Sequence, residues 1–444
     1  MNTWVKAVKS KIVMNQQWIF LGLVICLILW GLAVLSEASF YYSLKIYKSP
    51  FFILVRQAVF IAQGILGFII IQKMDLSRLL KWPFAWLAMA AILPLLAFAP
   101  IIGHEVHGAT RWLIIPLPAN ARVVIHTGLF SLICFFIAVH IFNAVVRDWT
   151  RIEKVIVAFV FCWVAIWLLK QPDTVMFLLL GAFSIYYLFL AGRRKTALAM
   201  IMLFVCLVLS YYYFGPQYIR LRLTQFFDYS LSDATSNGYQ MLQSRFAFWH
   251  GGWSSVGLEN VFSSRLNLPG AHDEFIFAVL AEAYGLVGVA IYILAIVAFI
   301  YFGLTAARRI SGGREAAVLK FFVILIAVYA FCSIGVTIHL LPVFAMPLPF
   351  FSSGGAFLLI TLLTSGWIFK HLRGRAIAEN KSYDIVHASA GVESAGYRLI
   401  WPLAITLSVA AILFLRAMHI SYSYHPAFQY LLENPDVLIK MIIP

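Results

Sequence analysis

Long apolar runs, separated by short polar segments, fill almost the whole chain. A helix that crosses a bilayer needs about 20 mostly apolar residues, with roughly 17 to 25 as the working range. Runs of this kind lie at 18–35, 52–71, 82–102, 124–145, 155–169, 175–190, 197–214, 286–304, 321–339, 354–369 and 399–415. Two of them, 155–169 and 399–415, are short, so the pattern predicts an all-α polytopic integral membrane protein with 10–11 transmembrane helices. One interval breaks the alternation. Residues 216–274, between the seventh and eighth runs, are too polar to cross. They also far exceed the roughly 12 to 15 residues beyond which a loop is usually functional or disordered. They predict a large extracytoplasmic loop, and its aromatic residues, among them Tyr218, Phe226, Phe227, Trp249 and Trp253, argue for packing at the membrane interface. The segment 371–398 is mixed in charge and rich in Ala, Gly and Ser. The expected organisation is a transmembrane domain at 1–370, a cytoplasmic linker at 371–398, and an extra span with an outer tail at 399–444.

Composition agrees and excludes alternatives. The chain is 63% apolar and 11% charged, whereas a soluble domain carries about 25% charged residues and a disordered one is poor in apolar residues. The net charge of +15 would suggest nucleic acid in a soluble protein. With the N-terminus inside, however, 21 of the 33 basic residues fall in the inner segments. They cluster at Lys6 to Lys11, Lys73 to Lys81, Arg147 to Lys154, Arg193 to Lys195, Arg308 to Lys320 and Lys370 to Arg398. This is the positive-inside bias of a membrane protein with a cytoplasmic N-terminus, and it removes nucleic acid as a partner. The basic start before the first run resembles a signal peptide, but the run is too long for one and further spans follow. Cys26, Cys134, Cys162, Cys206 and Cys332 all sit in apolar runs with no close pair, as small core residues do.

Candidate chemistry concentrates where the long loop ends, in the order Leu268-Pro269-Gly270-Ala271-His272-Asp273-Glu274-Phe275. Two carboxylates directly before an apolar helix sit where the helix dipole favours anions. They are either an N-terminal cap taking backbone N–H groups or reactive groups on the outer face. No metal-ligand spacing is present in the chain.

At this loop the chain resembles the SEDS (shape, elongation, division, sporulation) family of peptidoglycan glycosyltransferases, the FtsW, RodA and SpoVE proteins. Tyr239-Gln240-Met241-Leu242-Gln243-Ser244 is similar to YQxxQS, and Gly251-Gly252-Trp253 with Gly257-Leu258 and Asn260 to GGWxGxGLGN. Leu268 to Gly285 resembles LPEAHTDFIFAVIAEELG, and Leu340-Leu341-Pro342-Val343 with Pro347 to Gly355 resembles LLPVTGIPLPFISYGG. Gly108-Ala109-Thr110-Arg111-Trp112 looks like GAxRW, and Gln171-Pro172-Asp173 like the start of QPDLGT. The matches run in the family's order from Gly108 to Gly355.

There are departures. The Asp of TDF, the family's catalytic base, is matched by Glu274, and its Thr by Asp273. Residues 121–127 replace QPSExxK and keep neither its Glu nor its Lys. Ser333 stands for the Asn of NIGV, and His339 for the Gly of GLLP.

The resemblance implies polymerisation of lipid II: the 4-hydroxyl of one disaccharide attacks the anomeric carbon of the next and expels undecaprenyl diphosphate. That needs a base near the hydroxyl and cations near the diphosphate. Glu274 is the expected base, with Asp273 as second choice, one methylene shorter. Arg111 is the first expected diphosphate contact, or else an interfacial arginine; Arg245 is the next, and Arg122 can stand in for the lost Lys. Gln240, Gln243 and His272 are sugar contacts or serve the loop backbone, and Asp173 either meets substrate or pairs with an arginine, for which Arg56 is available. A divalent cation would arrive only with the diphosphate. The implied partners are lipid II, a class B penicillin-binding protein and other membrane proteins of division or elongation, in the bacterial inner membrane. Two other functions stay open: a catalytically silent scaffold or regulator, which the altered Asp and QPSExxK would suit, and a lipid-linked precursor flippase, which would want more charge at mid-membrane.

Overall fold

The computed structural model describes residues 2–99, 103–106, 109–116, 122–145, 151–190, 194–215, 217–227, 237–253, 255–258, 261, 268–311 and 313–381. In chain order the elements are α1 (Asn2–Tyr47), α2 (Phe52–Lys73), α3 (Leu76–Leu79), α4 (Pro83–Leu96), β1 (Gly103–Val106), β2 (Ala109–Pro116), β3 (Arg122–His126) and α5 (Thr127–Val145). There follow α6 (Arg151–Lys170), α7 (Thr174–Leu190), α8 (Arg194–Phe214), α9 (Gln217–Phe227), α10 (Asn237–Gly251), α11 (Ile276–Arg309), α12 (Gly313–Thr337) and α13 (Gly355–Lys381).

Seven of these contain stretches long and apolar enough to span a membrane: Gln16–Tyr47, Phe52–Lys73, Ile152–Lys170, Ala197–Phe214, Ile276–Arg309, Gly313–Thr337 and Gly355–Arg373. Three shorter apolar helices, Pro83–Leu96, Thr127–Phe142 and Thr174–Phe189, match three more of the expected runs. The protein is therefore a helical, multi-pass membrane protein. The expected run at 399–415, the outer tail and most of the linker lie outside the described residues; the linker's first part, to Lys381, continues α13 as helix.

The chain divides into two compact units. One is formed by 75–223 and 312–321. Here the expected span at 82–102 ends early, at Leu96, because Pro94 sits inside α4. Proline has no N–H to give the carbonyl four residues back. That carbonyl, Ala90 O, instead accepts from the Ser131 hydroxyl of α5 at 2.6 Å, and Ala91 O accepts from Trp163 Nε1 of α6 at 3.1 Å. Such borrowed partners are what makes a proline tolerable at membrane depth. The expected span at 124–145 also starts late. Val124 to His126 belong to β3, in an antiparallel sheet of order β1-β2-β3 with Trp112 opposite His126 and Leu113 opposite Ile125. The run Val123-Val124-Ile125 is β-branched, which suits a strand as well as an apolar helix. Hydropathy alone could not separate the two.

The other unit is formed by 1–74, 224–311 and 322–444 as far as described. In it α2 packs along α13, and α10 along α11. Lys48 (φ 57) and Pro50 end α1, since proline disfavours helical backbone before it. Among the described residues, the expected outer loop contains the helix α10 in this unit. Within α11, Gly285 adopts φ 63 and ψ −167, a combination essentially reserved for glycine. The break frees two carbonyls of the preceding turn. Glu282 O accepts from Val256 N at 3.4 Å and Ala283 O from Gly257 N at 3.2 Å, while Leu286 N reaches Gly252 O at 2.9 Å. Gly252, Val256 and Gly257, which follow α10, thus supply the hydrogen bonds that the broken helix lacks. Gly251 has to be glycine for a different reason: a Cβ there would lie 2.1 Å from Ala281 O.

Candidate functional site

The turn 268–275 leads into α11. Ala271 N donates to Leu268 O at 3.1 Å, and Asp273 N and Phe275 N both donate to Gly270 O at 2.9 Å. The helix N-cap is Phe275, with no side-chain cap bond. Asp273 is therefore not the capping residue, because two further residues of turn separate it from the first helical position.

The turn is held from outside by its carbonyls. Ser353 N donates to His272 O at 3.1 Å, and the Ser352 hydroxyl donates to Asp273 O at 2.6 Å while accepting from Leu348 N at 2.7 Å. Gln57 of α2 in turn donates to Ser352 O at 2.9 Å. One oxygen of the Asp273 carboxyl is buried and has no hydrogen-bond partner among the described residues. Burial pushes this carboxyl above the ordinary carboxylate range, and the nearby Arg56 charge opposes the rise. His272 lies against Tyr42, with ring centroids 4.4 Å apart. Burial, assisted by Arg56, brings His272 down to about 4, so at neutral pH it is uncharged. Glu274 is half-buried and engaged in a contact of its own.

Arg56, which sequence reasoning offered as a partner for Asp173, thus acts on the His272 and Asp273 pair. It sits near the start of α2 with an exposed side chain, not in mid-helix.

Helix α10 carries the remaining candidates of this unit. Gln243 is buried and Gln240 half-buried, and Ser244 donates to Thr337 O at 2.8 Å. Arg245 Nε donates to His339 Nδ1 at 2.8 Å, so His339 stands where the matched motif has glycine and gives this arginine a fixed seat. His250 meets the buried carboxylate of Glu282 at 2.8 Å.

Arg111 and Asp173 belong to the other unit, where they stand in one network. Arg111 donates to Gln171 O at 3.2 Å and to Pro172 O, and Thr127 donates to Arg111 O at 3.0 Å. Gln171 donates to Pro94 O at 2.7 Å. Asp173 faces His126, with Nε2 to Oδ2 at 3.8 Å, in place of the arginine expected from sequence. Leu129 N donates to His126 Nδ1 at 3.2 Å, which leaves the ring proton on the nitrogen facing Asp173. Burial lowers the His126 pKa, against the pull of Asp173. Arg122 lies in β3, and its side chain is outside the described part.

The family model described as a cell cycle protein, FtsW/RodA/SpoVE, matches residues 17–375. The chain belongs to the FtsW/RodA/SpoVE family. It is 30% identical over 369 residues to a relative named probable peptidoglycan glycosyltransferase FtsW from Legionella pneumophila, covering 81% of this chain and 91% of that one. It is 31% identical over 339 residues to a relative of the same name from Alkalilimnicola ehrlichii, covering 74% and 82%. Among solved structures, a peptidoglycan synthase complex described for its coordination of polymerization and crosslinking contains a chain that aligns with TM-score 0.63 at 21% identity, covering 81% of this chain and 98% of that one. The rod shape determining protein RodA of Thermus thermophilus aligns with TM-score 0.55 at 20% identity, over 81% and 97%. Both share the family's fold.

Against the family pattern, the fold brings His272, Asp273, Glu274, Gln240, Gln243 and Arg245 into one unit and Arg111 and Asp173 into the other. Sequence reasoning missed Tyr42, Gln57 and His126, and it passed over Ser352 inside the quoted Pro-rich match. For Ser352 the motif was the available signal. For Tyr42 and Gln57 there was none, since each lies more than two hundred residues away along the chain.

Proposed function

We propose that this chain is a peptidoglycan glycosyltransferase that polymerises lipid II from the bacterial cytoplasmic membrane, with its N-terminus in the cytoplasm and a class B penicillin-binding protein as its cross-linking partner. What supports this most is the turn that ends the outer loop. It holds two carboxylates at the family's place while using backbone atoms, and not the Asp273 carboxyl, for its attachment. In this reading Glu274 takes the proton from the 4-hydroxyl of the acceptor sugar, that oxygen attacks the anomeric carbon of the donor, and the bond to undecaprenyl diphosphate breaks with its electron pair leaving on phosphate. Asp273 is the second carboxylate able to accept the proton, its affinity raised by burial. His272, uncharged, and Gln240 and Gln243 are assigned to sugar hydroxyls. Arg56 and Arg245 are assigned to the diphosphate charge. The described residues bring together no group of three His, Cys, Asp or Glu suited to a metal. Any divalent cation is assigned to the diphosphate it enters with.

The departures at Glu274 and at 121–127 favour a second reading, a catalytically silent member that organises a division or elongation complex. Polymerisation of lipid II by the purified protein with its partner separates the two. Product formed by the wild type and lost in Glu274→Ala supports the enzyme with Glu274 as base, and loss in Asp273→Ala alone transfers that role to Asp273. A wild type that yields no product where other family members do would leave the scaffold reading in its place.

A further inference from the structure

The acidic turn raises a question that its carboxylates do not answer: what keeps it in place. A general base loses about a hundredfold in rate for a displacement of about 1 Å, and this turn lies between a long loop and a helix whose N-cap residue, Phe275, makes no side-chain cap bond. The consecutive carbonyls of His272 and Asp273 are both taken by the segment after Pro349, from Ser353 N and the Ser352 hydroxyl. A hydroxyl has one proton to donate and lone pairs to accept with. Ser352 uses both capacities, since it also receives Leu348 N at 2.7 Å. Its own carbonyl is held by Gln57 from α2, a residue 2% exposed. Ser352 is 3% exposed, so water cannot replace the bonds it makes. Fixing two successive carbonyls fixes the peptide planes on either side of Asp273, and with them the directions in which Asp273 and Glu274 leave the backbone.

We infer that Ser352, seated by Gln57, is a positioning residue for the carboxylates of the acidic turn, acting through the backbone of Asp273 and touching no substrate itself. The inference rests on the reading of that turn as the site of the base.

The experiment compares wild type, Ser352→Ala, Ser352→Thr and Gln57→Leu with Asp273→Ala and Glu274→Ala, all purified with the partner protein. Turnover, KM for lipid II and thermal stability are measured for each. Ser352→Ala is expected to lower kcat by about tenfold to a hundredfold with KM for lipid II little changed, and Ser352→Thr, which keeps the hydroxyl, to recover most of that loss. Gln57→Leu is expected to fall in the same direction by less. A Ser352→Ala protein that keeps wild-type kcat overturns the inference. So does a loss matched by an equal loss in Ser352→Thr at unchanged stability. Should Ser352→Ala not accumulate, Gln57→Leu decides: a lowered kcat at unchanged KM supports the inference, and a wild-type kcat overturns it. If neither carboxylate variant changes turnover, the reading of the turn falls and the inference with it. If a carboxylate variant is inactive while the serine and glutamine variants are normal, only the inference falls.

Discussion

His272 and Asp273 answer the same burial in opposite senses, because burial disfavours whichever form carries charge. His272 drops from 6.5 to about 4. The unfolded chain therefore binds a proton near pH 6.5 that the folded chain refuses until near pH 4, and stability is lost as pH falls through that window, by at most roughly 3 kcal/mol. Asp273, raised above 3.8, works the other way: its contribution favours the fold at low pH and declines as pH rises through its folded value. The melting temperature of the protein in detergent or nanodiscs is thus expected to fall between about pH 7 and pH 5. His272→Gln should remove most of that fall, and an identical fall in the variant would refute the assignment. Arg56→Gln gives a second check at this scale. It removes a positive charge that holds both pKa values down, so the His272 window should narrow from its low-pH end and the loss of stability across it should shrink. At this level the sequence named the acidic turn by its motif, but not Arg56, Tyr42 or Gln57 around it. Their nearness depends on how α1 and α2 lie against the turn, which no local spacing records.

Among the elements, the broken helix α11 and the kinked helix α4 show the same device, a backbone group released in one helix and satisfied by a distant one. Gly285→Ala would force a side chain into a backbone conformation that only glycine takes easily and would set its Cβ 2.7 Å from Trp253 O. A destabilisation of about 2 kcal/mol or more is expected in a thermal or denaturant melt, with loss of the α10 docking. Ser131→Ala is milder in chemistry but leaves Ala90 O buried without its donor. An effect of about 1 to 3 kcal/mol is expected, and a variant that melts with the wild type would show that another group takes over. The strong apolar runs identified the helices. The ends of two of them were misjudged where the run passed into β-branched strand residues or over Pro94, because hydropathy measures what a residue dissolves in and not which hydrogen bonds its backbone makes.

For the molecule as a whole, the eleven-span reading puts Pro444 outside the cell. An alkaline phosphatase fused after Pro444 is expected to be active, and activity of a cytoplasm-only reporter at that point would reduce the count to ten. The sequence by itself determined that the chain lives in a membrane, where its long helices run, which family it joins and which turn bears its carboxylates. Each of these is written in consecutive residues, since transfer into lipid and short motifs depend on local composition. The tertiary structure alone decided that the Arg56 charge acts on His272 and Asp273, that His126 faces Asp173, and that Ser352 holds the acidic turn by its backbone. These depend on hydrogen bonds and charges between segments distant along the chain, 79 residues apart for Ser352 and Asp273 and more than two hundred for Arg56 and His272, and only the tertiary packing brings such groups within reach.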